Sequence, residues 1–223
     1  MQVSIDGPAG AGKSSVAKAL AANLGFIHID TGAMYRALTW LALQQGIPLT
    51  DEQALGRLAR EAVIDFRTGQ DAEASQQVFC QGQNVTEVIR SQEVSRAVSQ
   101  VAAVAGVREA LTGAQRRLAA HRDVVMDGRD IGTVVLPQAD CKIYLTASVE
   151  ERALRRWKER EAKDRDQTLE DIVQDIARRD YEDTHRITSP LRPAADSILL
   201  DSTALSFQEV VEKALALVRS VQA

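Results

Sequence analysis

A chain of 223 residues is long enough for one full hydrophobic core with room for a small inserted subdomain. With 45% hydrophobic and 26% charged residues it has the balance of an ordinary globular protein, and a net charge of -4 argues against a general nucleic-acid binder, which is usually basic. The 27 basic residues divide into 21 Arg and 6 Lys, a bias toward the side chain whose planar fork grips phosphate and carboxylate with two hydrogen bonds.

The elements follow in chain order. QVSID (2–6) is a short, continuously apolar run of the kind that forms a strand covered on both faces. A glycine-rich turn follows, then SSVAKALAANLG, where Val16, Leu20 and Leu24 recur every four residues and Gly25 is placed to end a helix. FIHID (26–30) reads as the second strand, and the helix after it is expected to take Thr31 as its cap. Between 62 and 90 the pattern changes. AVIDF, QQVFCQG and NVTEVIR are short and partly alternating, with turns at TGQDAEAS and GQN, so a small antiparallel insertion is expected. Helices are expected over 91–104 and 107–120, and strands at DVVMD (123–127), CKIYL (141–145) and SILLD (197–201). From Val149 to Arg186 charge is dense, with eight arginines. Two solvated helices joined near KDRDQ, or an arginine-bearing lid, both fit that composition. An amphipathic helix over 206–221 closes the chain.

Strand, helix, strand in repetition implies a parallel α/β sheet, whose function sits at the carboxyl ends of its strands. Cys80 and Cys141 stand alone in apolar runs, without metal-ligand spacing, and are expected to be buried thiols. Strand-like sequence from Gln2 leaves no room for a signal peptide, and no apolar stretch nears the roughly 20 residues that span a bilayer. A cytoplasmic protein with no membrane partner is the expectation.

Gly7-Pro8-Ala9-Gly10-Ala11-Gly12-Lys13-Ser14, with Ser15 behind it, fits G-x-x-x-x-G-K-[ST] without a mismatch, after a strand and at the opening of a helix. The glycines let the backbone approach an anion, and the helix N-terminus adds partial positive charge. Lys13 would reach the outer phosphates of a nucleoside triphosphate and Ser14 would ligate Mg²⁺. Asp127, at the end of a later strand, is a second magnesium candidate or simply the cap of its turn. The loop leaves open where the γ-phosphate goes, to water or to an acceptor. No N-K-x-D or T-K-x-D base-reading motif of a GTPase is present.

Asp30-Thr31-Gly32-Ala33-Met34-Tyr35-Arg36, Asp127-Gly128-Arg129-Asp130-Ile131-Gly132-Thr133-Val134-Val135, and Arg179-Asp180 through Asp183 and Arg186 to Ser189-Pro190-Leu191 resemble the bacterial cytidylate kinases, within the nucleoside monophosphate kinase group. The resemblance runs from Val3 to the terminal helix. It implies a three-layer α/β/α P-loop kinase: a five-stranded parallel sheet, an antiparallel insertion (62–104) beside the monophosphate site, a helical lid (151–186), and core segments 1–61, 105–150 and 187–223. It implies a monomer that uses ATP and Mg²⁺ to phosphorylate CMP or dCMP. Ser99, Arg108 and Asp130 would then read the base. Arg36, Arg129 and Arg186 would hold the acceptor phosphate, while Tyr35 and Thr31 shape its pocket. Arg179 and Asp183 would meet the ribose, and Arg155 and Arg156 the transferring phosphoryl group. His28, His121 and His185 are read as structural.

Overall fold

A computed structural model describes residues 1–67, 76–158 and 168–222. All five apolar runs form strands: β1 (Gln2–Asp6), β2 (Ile27–Asp30), β6 (Val124–Gly128), β7 (Cys141–Thr146) and β8 (Ile198–Asp201). They make one five-stranded sheet in the order β2-β6-β1-β7-β8, with β1 pairing in parallel to both β6 and β7. The chain runs from β1 toward one edge and later returns to the other side, so the carboxyl end of β1 is a topological switch point, where sheets of this kind bind ligands.

The described residues divide into two compact units. In the first, Met1–His28 with Ala119–Ala223, α1 (Lys13–Leu24) and α8 (Phe207–Gln222) flank the sheet. Val16, Leu20, Val210 and Val218 bury against Val3, Ile5, Ile143 and Leu145 in one core. Removing such aliphatic surface from water contributes about 25 cal/mol per Å². Two further helices, α6 (Val149–Lys158) and α7 (Leu169–His185), pack together through Ala153, Ile172 and Ile176. The KDRDQ turn expected between them, with Arg160 and Arg165, lies outside the described residues.

The second unit, Ile29–Leu118, carries α2 (Thr31–Gln44), α3 (Glu52–Glu61), α4 (Gln92–Ala103) and α5 (Ala105–Ala119). It also carries a three-stranded antiparallel sheet of β3 (Ile64–Arg67), β4 (Gln77–Cys80) and β5 (Gln83–Asn84). Its core gathers Met34, Leu38, Leu55, Ile89 and Val101 among others. Two local expectations are corrected here. NVTEVIR is not a strand beyond Asn84, which ends β5: the Ile89 amide donates to the Val85 carbonyl at 3.1 Å, closing a helical turn that leads into a short 3-10 helix, Val88–Arg90. Thr31 does not cap α2. Asp30 does, its carboxylate accepting from the Ala33 amide at 2.8 Å, while Thr31 is the first helical residue and is buried. The TGQDAEAS turn lies outside the described residues. Both cysteines are free and buried, and burial pushes each thiol up to about 11. Among the described residues, no helix is long and apolar enough to cross a membrane.

Candidate active site

The glycine-rich turn follows β1. Gly7, Gly10 and Gly12 all have positive φ (153°, 76° and 87°). A Cβ on Gly7 would run into the Leu145 carbonyl oxygen, so this turn needs glycine for space as well as for conformation. At the N-terminus of α1 no side chain caps the free amides, and no acidic residue stands in the first turn. Unsatisfied N–H groups and the positive end of the helix dipole therefore remain for an anion. Lys13 is buried and its ammonium donates to the Pro8 carbonyl at 2.7 Å, folded back within the loop. Burial, reinforced by repulsion from Arg129, brings its pKa down to about 7 against attraction from Asp127 and Asp183. An arriving phosphate would restore the charged ammonium.

Next to Lys13, the Ser14 hydroxyl donates to Asp127 Oδ2 at 2.6 Å. His28 Nε2 lies 2.7 Å from the other oxygen, Oδ1. A carboxylate only accepts, so the imidazole is the donor in that bond. The pairing of hydroxyl and buried carboxylate suits Mg²⁺, a hard cation that keeps waters and takes phosphate oxygens, needing only one or two protein ligands. Among the described residues no group of three or more His, Cys, Asp or Glu side chains is arranged to hold a metal by itself. An ion here would share its coordination with a bound phosphate.

The segment after β6 is held from the neighbouring strand. Asp6, at the end of β1, accepts from the Ile131 amide at 2.8 Å and the Gly132 amide at 2.7 Å. A Cβ on Gly132 would stand 2.9 Å from Ser4 Oγ, which explains the glycine. From Ile131 to Val135 the chain winds as one π-helical turn, a conformation often found at functional sites. Burial pushes the Asp6 carboxyl up to about 6 even though two amides stabilise its charge.

Four of the expected nucleotide-binding residues converge in a charged network of the first unit. Arg129 Nε donates to Asp183 Oδ2 at 2.7 Å. Arg186 lies 3.5 Å from Asp130 and 3.6 Å from Asp183, and its Nε is tied to the Ser189 carbonyl at 2.7 Å. Burial alone would raise the Asp183 carboxyl, but Arg129 and then Arg186 outweigh it and hold it below its ordinary value. Nearby, burial and the charge of Arg156 lower the Arg179 guanidinium, with Arg178 and Arg129 adding to the repulsion. Cations crowded in this way gain from a bound anion. Arg155 is directed elsewhere: it donates to Glu151 at 2.9 Å and to the Ser202 hydroxyl and carbonyl at 3.0 and 2.6 Å.

In the second unit, Arg36 Nη2 donates to Asp30 Oδ2 at 3.0 Å. The Arg108 guanidinium lies 5.4 Å from the Tyr35 ring centroid, within cation–π range, and donates to the Ala102 carbonyl at 3.1 Å. Ser99 is half-buried on α4.

A scan of family models matches residues 3–220 to the cytidylate kinases. The chain belongs to the cytidylate kinase family. A cytidylate kinase from Desulfitobacterium hafniense (strain Y51) is 52% identical over 217 residues, covering 97% of this chain and 92% of the relative. A bifunctional pantoate ligase/cytidylate kinase from Synechococcus sp. (strain JA-3-3Ab) is 50% identical over 219 residues, 98% of this chain but only 41% of that longer protein. In fold the chain is similar to a shikimate kinase from Bacteroides thetaiotaomicron, with a TM-score of 0.51 at 12% identity, covering 100% of this chain and 98% of that one.

Sequence reasoning missed three groups in this cytidylate kinase family member. Asp6 is one, His28 as the partner of Asp127 is the second, and the pair Arg152 and Asp180 against the phosphate loop is the third. Asp6 was signalled only by its place at the end of a strand. Arg152 was one arginine among eight.

Proposed function

We propose that the protein transfers the γ-phosphoryl group of Mg-ATP to CMP or dCMP, giving ADP and CDP or dCDP. One observation carries the donor half: an uncapped helix N-terminus beside a buried lysine and a serine–aspartate pair. Membership of the cytidylate kinase family supports the acceptor half. The residues Gly7, Pro8, Ala9, Gly10, Ala11, Gly12, Lys13, Ser14 and Ser15 form the seat of the ATP phosphates, with the backbone amides that follow Ala9 as the main donors. Ser14 and Asp127 would hold Mg²⁺, whose contribution would be to neutralise phosphate charge.

The acceptor is a phosphate oxygen that is already anionic, so no general base is needed. The protein's task is alignment and charge neutralisation. Arg36, Arg129 and Arg186 take the acceptor phosphate as forked donors. Ser99, Arg108 and Asp130 supply donors and an acceptor to the cytosine edge, and Arg179 and Asp183 meet the ribose. Tyr35 and Thr31 shape the pocket. Arg156 and Arg155 serve the transferring phosphoryl group, Arg155 after leaving Ser202. The ion pairs Arg129–Asp183 and Arg186–Asp130 hold these side chains near their working positions before substrate arrives. The same reading makes the protein a cytoplasmic, monomeric enzyme of pyrimidine nucleotide metabolism that needs no nucleic acid or membrane partner.

A coupled assay of ADP formation tests this, with CMP, dCMP, UMP, AMP or no acceptor present. Turnover is expected with CMP and dCMP. A preference for UMP or AMP would overturn the base assignment, and equal turnover without acceptor would overturn the transferase reading.

A further inference from the structure

We propose that Arg152 and Asp180 are positioning residues for the donor nucleotide, clasping Ala9 of the phosphate loop from both sides and tying the loop to α6 and α7. Arg152 Nη1 donates to the Ala9 carbonyl at 2.8 Å, and the Ala9 amide donates to Asp180 Oδ1 at 3.3 Å. The two side chains close on each other, Arg152 Nη1 standing 2.7 Å from Asp180 Oδ2. Arg152 Nε donates to the Ala147 carbonyl at 2.9 Å, which anchors the guanidinium to the end of β7. One residue of the loop thus has both of its backbone polar groups committed to one ion pair.

Three features argue for a role in setting the loop. Arg152 is only 4% exposed and is bonded through Nε and Nη1, so it is not placed to swing onto a ligand. Its Nε and Nη1 are committed to backbone carbonyls, and Nη1 also pairs with Asp180. A buried ion pair is a poor device for stability, because desolvation offsets much of the attraction and an apolar replacement often serves as well. It does fix geometry, since a planar fork with several acceptors has one orientation. The loop also lies flush against the helix pair here: a Cβ on Gly10 would meet Arg152 Cβ at 3.3 Å and Ile176 Cδ1 at 3.6 Å. The amides that would cradle phosphate follow directly after Ala9, so a shift of Ala9 misplaces them. Small misplacements of a binding group cost heavily in phosphoryl transfer, which depends on alignment.

This inference rests on the donor role proposed above. Arg152→Lys keeps the charge but cannot reach all three acceptors; Asp180→Asn keeps the shape but removes the charge. The measurements are calorimetric binding of ATP without acceptor, KM for ATP and for CMP, kcat, and the urea unfolding midpoint of each full-length variant. Both variants are expected to bind ATP about tenfold more weakly and to raise its KM to match, with KM for CMP within about twofold of wild type. The double variant should be no worse than the weaker single one, because the pair acts as a unit. A lowered unfolding midpoint with unchanged ATP binding would reduce the pair to a structural contact and overturn the proposal, as would equal weakening of ATP and CMP. Should Arg152→Lys fail to fold, Asp180→Asn decides alone. Lys13→Ala separates the two layers. If it binds ATP like wild type, the donor role itself fails; if it loses ATP while the Arg152 and Asp180 variants do not, only the clasp fails.

Discussion

Two strand-to-helix junctions in this molecule end in opposite ways. After β1 the chain enters α1 through Gly12, with φ 87° and no side-chain cap, leaving the first amides open. After β2 it enters α2 through Asp30, whose carboxylate fills the cap and also holds Arg36. A helix N-terminus is a ready anion site only when nothing in the chain already occupies it. The first junction can therefore bind phosphate with its backbone, whereas at the second a carboxylate already accepts from the Ala33 amide and places negative charge at the helix end. A third junction, after β6, is intermediate: its amides are taken by Asp6, which reaches across from β1.

The largest test of this contrast is Lys13→Ala. It leaves the open junction without its cation, and kcat for CMP phosphorylation should fall on the order of 10³-fold with the far-UV circular dichroism unchanged. Turnover close to wild type would show that the open junction is not the donor seat.

A smaller effect is expected at the third junction. The Asp6 carboxyl is raised from 3.8 to about 6 in the fold. The fold thus favours the protonated form relative to the unfolded chain, and that contribution to stability is fully present below about 3.8 and lost as pH rises through about 6. The stability of Asp6→Asn relative to wild type should improve by on the order of 1 kcal/mol between about pH 5 and about pH 7.5. Urea unfolding at the two pH values reads this directly, and parallel profiles would mean that Asp6 does not titrate as a buried group.

Asp30→Ala is the mildest change. Losing the cap of α2 should cost about 1 kcal/mol in unfolding free energy. KM for ATP should stay at the wild-type value, and KM for CMP should rise once Arg36 loses its carboxylate partner. A loss of ATP binding in this variant would erase the distinction between the junctions.

The outline of the fold was legible because it is written in local patterns. Continuous apolar runs mark the strands, four-residue spacing marks α1, and G-x-x-x-x-G-K-S marks the loop. Cover on both faces, expected from those runs, holds for β6 but not for the edge strand β8, where Ile198 and Leu199 are exposed. Short-range ambiguity explains the corrections. Asp30 and Thr31 are both good caps, and only the backbone path decides which carboxylate or hydroxyl meets the Ala33 amide. NVTEVIR has strand-forming residues, and Val85 and Ile89 would share one face of a strand as well as of a helical turn; the bond from the Ile89 amide to the Val85 carbonyl, not the spacing, decides for the turn.

By itself the sequence determined the strands, the phosphate loop and the family motifs, because periodicity and motif spacing act over a few residues of chain. The tertiary structure alone decided which polar groups meet. Asp6 finds amides 125 and 126 residues away, Ser14 finds Asp127 across 113, and Arg152 finds Ala9 across 143. No local pattern encodes such pairings. They exist because parallel strands bring distant segments to one edge, and because a buried polar group must find a partner there or bear the cost of desolvation.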